Sequence, residues 1–297
     1  MHIAVTGASG LLGSALIPDL VRDGHQVIRL VRRPPQPGAP ALQWEANGGP
    51  RPTLFEGFDA IVHLAGENIA GRWTEQKKRR IRESRVNGTR QVAESLAAMA
   101  KPPRVLVMAS AIGYYGDRGE ELLKEDSAPG SDFLAGVVRD WEAAAQPAER
   151  KGVRVVKLRF GIVLARQGGA LAKMLTPFRL GLGGKVGSGR QYWSWVALDD
   201  VVGAVRHALG NEALRGPLNV VAPQPARNAE FTQALGRALH RPTVFPMPAF
   251  AARLALGEMG EALLLSSQKV DATNLAASGY NFKYPQLEHA LAAILRG

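Results

Sequence analysis

Two rhythms alternate along the first half of the chain. Apolar runs of five or six residues at 2–6, 26–31, 59–64, 104–109 and 153–158 read as buried strands. Between them, apolar positions recur three and four apart. In residues 11–23, Leu11, Leu12, Ala15, Leu16 and Leu20 share one helical face, and Gly24 closes the helix. Residues 74–100 predict a long helix that ends ahead of Pro102 and Pro103. Residues 132–150 predict another, with a weak point at Pro147, and a short strand is expected at 41–45 inside the Pro- and Gly-rich stretch 34–52. Strand, helix, strand, helix at this spacing predicts an α/β fold, with parallel strands and helical crossovers on both faces of one doubly wound sheet.

After residue 165 the rhythm breaks. Gly168, Gly169 and the glycines between 181 and 189 surround a short helix at 170–179. Asp199 is placed to cap a helix over 200–209, and residues 218–221 read as a further strand of the main sheet. Amphipathic helices are expected at 227–240, 249–265 and 286–295. The organisation predicted is a sheet domain over 1–165, to which 196–222 return. A smaller, mainly helical C-terminal lobe comprises 166–195 and 223–297.

Composition narrows the chemistry. Of 297 residues 46% are hydrophobic and 21% charged, as in an ordinary globular protein, and the absence of cysteine excludes disulfides, thiolate metal sites and cysteine nucleophiles. Six histidines, at 2, 25, 63, 207, 240 and 289, show no metal-ligand spacing, so no metal is expected. A strand starting at residue 2 leaves no room for a signal peptide, and no apolar run approaches the roughly 18 residues of a membrane span. The expectation is a cytoplasmic protein without a membrane partner, its oligomeric state open. The net charge of +11 is densest at Lys77, Lys78, Arg79 and Arg80, followed by Arg82 and Arg85. No aromatics interleave this helical run, which reads as a solvated face rather than a nucleic-acid surface. Attraction of an anionic cofactor is a further use of the charge.

Thr6-Gly7-Ala8-Ser9-Gly10-Leu11-Leu12-Gly13 lies between the first strand and the first helix. Gly7, Gly10 and Gly13 suit a tight turn, close approach of backbone to a pyrophosphate, and close packing of helix on strand, as in a Rossmann-type fold. A pyrophosphate is expected along Gly7, Ser9, Gly10, Leu11, Leu12 and Gly13, facing the helix amides, which makes 1–165 a dinucleotide-binding domain and the C-terminal lobe the substrate side. Ser9 is a loop residue, because Gly7-Ala8-Ser9-Gly10-Leu11 lacks the last glycine of a nucleophile elbow. At the end of the second strand, where an NAD site carries an acid for the ribose 2′-hydroxyl, the chain has Val31-Arg32-Arg33. Either the arginines are an ordinary solvated pair or they bind a 2′-phosphate; the expected cofactor is NADP(H).

These residues, with His63-Leu64-Ala65-Gly66, Ser110 and Trp195-Val196-Ala197-Leu198-Asp199-Asp200, resemble the short-chain dehydrogenase/reductase superfamily in its extended, epimerase/dehydratase-like branch. Closer likeness lies in Glu67-Asn68-Ile69, Arg72-Trp73-Thr74, Gly113-Tyr114-Tyr115-Gly116, Trp141-Glu142, residues 177–184 and 187–191, and Ser267-Gln268-Lys269-Val270. This set is similar to an epimerase-like family with a C-terminal domain of unknown function, often labelled NAD-dependent epimerase or cell division inhibitor. The resemblance implies that Arg32, with Arg33 beside it, meets the adenosine 2′-phosphate. It places Leu64, Ala65, Gly66 and Glu67 along the cofactor and Val163 near the nicotinamide. Arg85 either reaches inward to the cofactor or stays on the surface.

The superfamily's tyrosine, with a lysine four residues on, is missing. The corresponding helix positions are Leu134 and Val138, or Phe133 and Val137 in the adjacent register, and no Tyr-x-x-x-Lys occurs in the chain. Near the nicotinamide the resemblance leaves Ser110, Tyr114, Tyr115, Glu67 and Arg159. Ser110 either orients a substrate or caps its strand, the tyrosines either supply an acid or pack, and Glu67 serves as a base if burial raises its pKa. Arg190, Gln191, Ser194 and Trp195 are expected on the substrate side. Two functions fit: an NADP(H)-dependent, epimerase/dehydratase-like oxidoreductase acting on a small molecule through an atypical site, or a non-catalytic NADP(H)-binding redox sensor or regulatory protein.

Overall fold

The structure, a computed structural model, describes residues 1–46 and 48–296. Seven strands form its main sheet: β1 (His2–Thr6), β2 (Gln26–Val31), β3 (Ala41–Gln43), β4 (Ala60–His63), β5 (Val105–Ala111), β6 (Arg154–Phe160) and β7 (Gly216–Val220). Their order is β7-β6-β5-β4-β1-β2-β3, and every neighbouring pair is parallel. Helix α1 (Leu11–Arg22) packs with α4 (Leu198–Gly210), and α2 (Glu75–Ala97) packs with α3 (Phe133–Ala143). With both faces covered, the central strands are continuous apolar runs: Ile3 to Val5, Ala60 to Val62 and Val105 to Met108 are all buried. The winding reverses between β1 and β4, which places the ligand crevice at their C-terminal ends.

A four-way contact closes that end. The Thr6 hydroxyl accepts from the amides of Leu64 (3.1 Å) and Ala65 (3.2 Å) and lies 2.8 Å from His63 Nδ1. With two donors already on the oxygen, Thr6 is placed to donate to Nδ1 of a neutral imidazole, whose buried Nε2 has no hydrogen-bond partner among the described residues. The pairing ties the segment after β4 to the end of β1.

Several elements differ from the sequence expectation. The helix expected over 132–150 is two helices, Phe133–Ala143 and Gln146–Arg150, because Pro147 falls in the first turn of the second, where its missing N–H costs nothing. Strands β5 and β6 run two residues further than their apolar runs, so Ser110 and Arg159 are paired within the sheet. Asp199 does not cap α4. Ala197 is the N-cap, and Asp199 and Asp200 occupy the first turn. There Asp200, buried, accepts from the Lys283 and Tyr284 amides (2.7 and 3.0 Å) and the Tyr280 hydroxyl (3.0 Å), anchoring the C-terminal segment. The stretch 249–265 breaks at Gly257 (φ 60°) into Ala249–Leu256, Glu258–Gly260 and Glu261–Leu265.

A second apolar cluster builds the lobe, with Leu171, Leu175 and Phe178 of helix Gly169–Arg179 against Trp193, Trp195, Phe231, Leu235 and Leu291. Among the described residues no helix is long and apolar enough to cross a membrane.

Burial holds His63 down from the usual 6.5 to about 4. As pH falls below 6.5 the unfolded chain takes up a proton that the folded chain refuses, so stability drops between pH 6.5 and about 4, by about 3 kcal/mol in all. Thermal melts across this range are expected to lose Tm more steeply than those of His63→Gln; equal slopes would count against the assignment.

Candidate active site

The loop after β1 is shaped by contacts that only glycine permits. Gly7 has φ +67°, and a Cβ there would lie 2.7 Å from the Leu64 carbonyl. A Cβ on Gly13 would fall onto the Gly7 oxygen and 2.7 Å from Ala8 Cα. The first turn of α1 is therefore flush against the strand end. Its N-cap, Gly10, has no side-chain acceptor, and the turn contains no acid. The amides of Leu11, Leu12 and Gly13 are the helix's unfilled donors, opening where Ser9 is exposed. This cradle fits a pyrophosphate.

The other walls converge on the loop. Gly168 carries no Cβ because one would meet Leu11 Cδ1 at 3.1 Å. This brings the two-stranded pairing of Ile162–Ala165 with Trp195–Ala197, and with it half-buried Val163, to the start of α1. Arg32 and Arg33 lie exposed beyond β2. Arg32 is near enough to the segment after β4 to help depress the Glu67 carboxyl.

Glu67 is no base in waiting. Its hydrogen bond from Lys77 Nζ (2.6 Å) is the main cause of a pKa held below the usual carboxylate range, outweighing desolvation, with the charges of Lys77, Arg80 and Arg32 adding to it. Arg85 turns inward: it donates to the carbonyls of Glu67 (3.0 Å) and Ile81 (3.2 Å) and stacks 5.2 Å from the Trp141 ring. A Cβ on Gly66 would come within 3.3 Å of its guanidinium carbon. Burial lowers its pKa to about 10, against the pull of Glu67. The surface alternative for Arg85 is excluded.

Beneath the crevice lies a buried polar network. Ser110 donates to Glu142 Oε1 (2.5 Å), and Arg159 grips both oxygens of Glu142 through Nε and Nη2 (2.8 Å each). Arg159 Nη1 donates to the Tyr115 hydroxyl and the Glu125 carbonyl (3.0 Å each), and Tyr115 donates to Asn219 Oδ1 (2.7 Å). Burial opposes the Arg159 charge, but its bonds to Glu142 and the charge of that carboxylate prevail and raise its pKa. Burial pushes Tyr115 up to about 12, partly relieved by Arg159 and Asn219.

This geometry corrects two expectations. Ser110 is buried, its hydroxyl committed to Glu142, so it is not free to orient a substrate. The half-exposed residue at the strand end is Ala111. Tyr115 is fully buried with its oxygen engaged on both sides, out of reach of a ligand. Tyr114 differs: half-buried, its ring lies 3.6 Å from the Arg159 guanidinium, and its hydroxyl has no hydrogen-bond partner among the described residues.

The substrate-side expectation is corrected as well. Gln191 is buried and spends its amide on the carbonyls of Val186 and Leu264 (2.9 Å each). Ser194 donates to the Gln268 carbonyl (2.8 Å) and accepts from the Val270 amide (2.9 Å), while Trp195, fully buried, donates to the Gln224 carbonyl (3.1 Å). All three are packing elements, because each is buried with its polar atoms spent on backbone groups of neighbouring segments. Arg190 alone is exposed.

Leu134 and Val138 sit over Gly113, 3.5 and 4.0 Å from where its Cβ would be. Beside them Phe133 meets the Trp73 ring edge-on at 5.4 Å, and Met259 of the C-terminal segment covers Trp73, Ile81 and Val137. The Gly71 amide reaches Met259 Sδ at 3.2 Å. Sequence reasoning missed both this cover and the Glu142–Arg159 pair. The pair did leave a signal: an acid next to Trp141 on the inward face of α3, and an arginine between Leu158 and Phe160 in an apolar strand.

Removing one partner of the pair strands a buried charge. Glu142→Ala is expected to cost about 3–5 kcal/mol in urea unfolding, and Ser110→Ala about 1–2 kcal/mol. Equal small losses would show that the pair is not desolvated.

Comparison with known proteins agrees with this architecture. The NAD dependent epimerase/dehydratase family model matches residues 3–221, and a domain of unknown function matches residues 247–294. The chain is 38% identical to epimerase family protein YfhF of Bacillus subtilis over 99% of this chain and 98% of that one. It is 39% identical to human epimerase family protein SDR39U1 over 99% of this chain and 100% of that one. A crystal structure of human SDR39U1 with NADPH superposes with a TM-score of 0.92 at 37% identity, covering 100% of this chain and 99% of the other. UDP-N-acetylglucosamine 4-epimerase from Bacillus cereus, at 18% identity and a TM-score of 0.77, covers 99% of this chain and 98% of its own, and shares the fold. The chain belongs to the NAD dependent epimerase/dehydratase family.

Proposed function

We propose that this chain binds NADP(H) and works as an oxidoreductase on a small molecule. The observation carrying this reading is the glycine-bound cradle of Gly7, Gly10 and Gly13 beside the exposed Arg32 and Arg33. The NADPH in the human SDR39U1 structure supports it. Gly7, Ser9, Gly10, Leu11, Leu12 and Gly13 receive the pyrophosphate. Arg32, with Arg33, takes the 2′-phosphate through charge-assisted bonds. Leu64, Ala65, Gly66 and Val163 line the cofactor, while Glu67 and Arg85 hold the segment after β4 in place. When bound, the nicotinamide supplies or accepts a hydride.

Proton transfer falls to Tyr114. Of the three hydroxyls expected near the nicotinamide, Ser110 and Tyr115 are committed inside the protein, and Tyr114 retains an unengaged oxygen. Arg190 is left to meet an anionic part of the substrate. The apolar residues Leu134 and Val138 favour a second reading, in which the chain binds NADP(H) as a redox sensor without turnover.

Titration of NADPH and NADH against the chain is expected to show tighter NADPH binding. Arg32→Ala should weaken NADPH by about 10- to 100-fold while leaving NADH unchanged; tighter NADH binding to the parent would overturn the cofactor assignment. Turnover is read by NADPH oxidation across carbonyl, quinone and sugar substrates. Tyr114→Phe should lower kcat by about 100-fold or more with NADPH affinity kept. Tight NADPH binding with no turnover on any substrate gives the sensor reading.

A further inference from the structure

Among the described residues, seven of the eleven exposed large apolar side chains lie on two segments bonded to each other. One is the turn after helix Gly169–Arg179, with Leu180 and Leu182. The other carries Val244, Phe245 and Met247 into helix Ala249–Leu256, with Phe250 and Leu254. The Phe245 amide donates to the Gly183 carbonyl (3.3 Å), Met247 to Lys185 (2.9 Å) and Gly187 to Met247 (2.8 Å). A Cβ on Gly184 would collide with the Phe245 carbonyl, so the two segments form one platform. Phe250 and Leu254, four residues apart on the outer helix face, are 70% and 78% exposed, while Ala252 between them is buried. Exposed apolar side chains concentrated on two joined segments in this way mark an interaction site.

Its charge identifies the partner. Its two segments, residues 169–187 and 241–257, contain Lys173, Arg179, Lys185, Arg241 and Arg253 and no acid. Arg179, Lys185 and Arg241 are exposed at the platform's rim, and Arg241 Nε donates to the Arg179 carbonyl (2.9 Å), holding two of these residues together. The following acids, Glu258 and Glu261, are ion-paired with Lys78 (2.6 Å) and Arg253 (2.5 Å).

We propose that this platform docks the protein peripherally on an anionic lipid bilayer, a membrane partner that the sequence, read only for spanning segments, does not lead one to expect. Leu180, Leu182, Phe245, Phe250 and Leu254 enter the boundary between headgroups and acyl chains, and Arg179, Lys185 and Arg241 meet lipid phosphates. A second copy fits less well. Two-fold pairing would set these cations against their own kind, with no acid on either segment to neutralise them.

Co-sedimentation of the full chain with vesicles tests this. The chain is expected to bind vesicles of equal parts phosphatidylglycerol and phosphatidylcholine and not phosphatidylcholine alone. Phe250→Ser with Leu254→Ser, at positions whose exposure spares the fold, should lower partitioning by at least about tenfold. Lys185→Glu should lower it about fivefold or more, and the α2 control Arg79→Glu with Arg80→Glu should leave it unchanged. Absence of binding overturns the proposal. So does binding that survives the Phe250/Leu254 change, which would assign it to general positive charge. A dimer in sedimentation equilibrium that the same change dissolves, without vesicle binding, would make the occupant a second copy and also overturn it.

Discussion

The buried pair of Arg159 and Glu142 is the constraint on which the organisation of the crevice depends. It joins the C-terminal end of β6 to the inward face of α3, and its spare donors and acceptors reach β5 through Ser110 and β7 through Tyr115 and Asn219. The network continues to the lobe side, where Glu125 accepts from the Asn219 amide (2.9 Å) and Asn274 Nδ2 (2.7 Å). Such a pair adds little net stability over a well-packed apolar substitute, because desolvation offsets most of the Coulomb gain. Its consequence is specificity of arrangement: once the guanidinium is buried, every polar group within reach is drawn into satisfying it. Ser110 and Tyr115 are bound for that reason, and Tyr114 is left as a ring stacked on the same cation.

A second constraint is steric and lies at the opposite edge of the crevice. Gly7 and Gly13 let three backbone segments approach more closely than any side chain would allow. Thr6 and His63 then hold the segment after β4 against β1. Arg85 supports that segment from the α2 side through the Glu67 carbonyl. The phosphate cradle is therefore fixed from three directions before any ligand arrives, with no side chain filling the helix N-terminus. Preorganised amides lose little on binding an anion, so under the proposed function the cradle supplies affinity, and the choice between cofactors is assigned to the arginines beyond β2.

The same physics explains what could be read from the sequence. The order of strands and helices was visible because each strand is buried on both faces and shows as an unbroken apolar run, and because Gly7, Gly10 and Gly13 mark the turn between β1 and α1. The inward course of Arg85 was left open, since helical periodicity places it equally on a flank. Ser110 and Trp195 were misassigned for one common reason. Position along a strand is read easily, but which face a side chain takes at the end of a strand depends on a register set by residues far away in the chain. Gln191 and Ser194 likewise bond to carbonyls more than 70 residues distant, at Leu264 and Gln268. Local patterns carry no trace of such partners.

The absence of a tyrosine and lysine on α3 and the presence of the deep ion pair belong together physically. Val138 is buried in the main core and Leu134 half-buried, both over Gly113, and with Phe133, Trp73 and Met259 packed beside Leu134 they make an apolar layer. A lysine in place of Val138 would bring an ammonium into that layer, one helical turn from Glu142, whose two oxygens already serve Arg159 and Ser110. It would have to compete for that carboxylate or remain unpaired, and either outcome is costly in a low-dielectric site. The apolar pair above and the charged pair below are thus one solution to the packing of α3 on β5 and β6. Under the proposed function, proton chemistry then comes from outside that layer, and Tyr114, whose ring rests on Arg159 while its oxygen stays unengaged, is the side chain proposed for it.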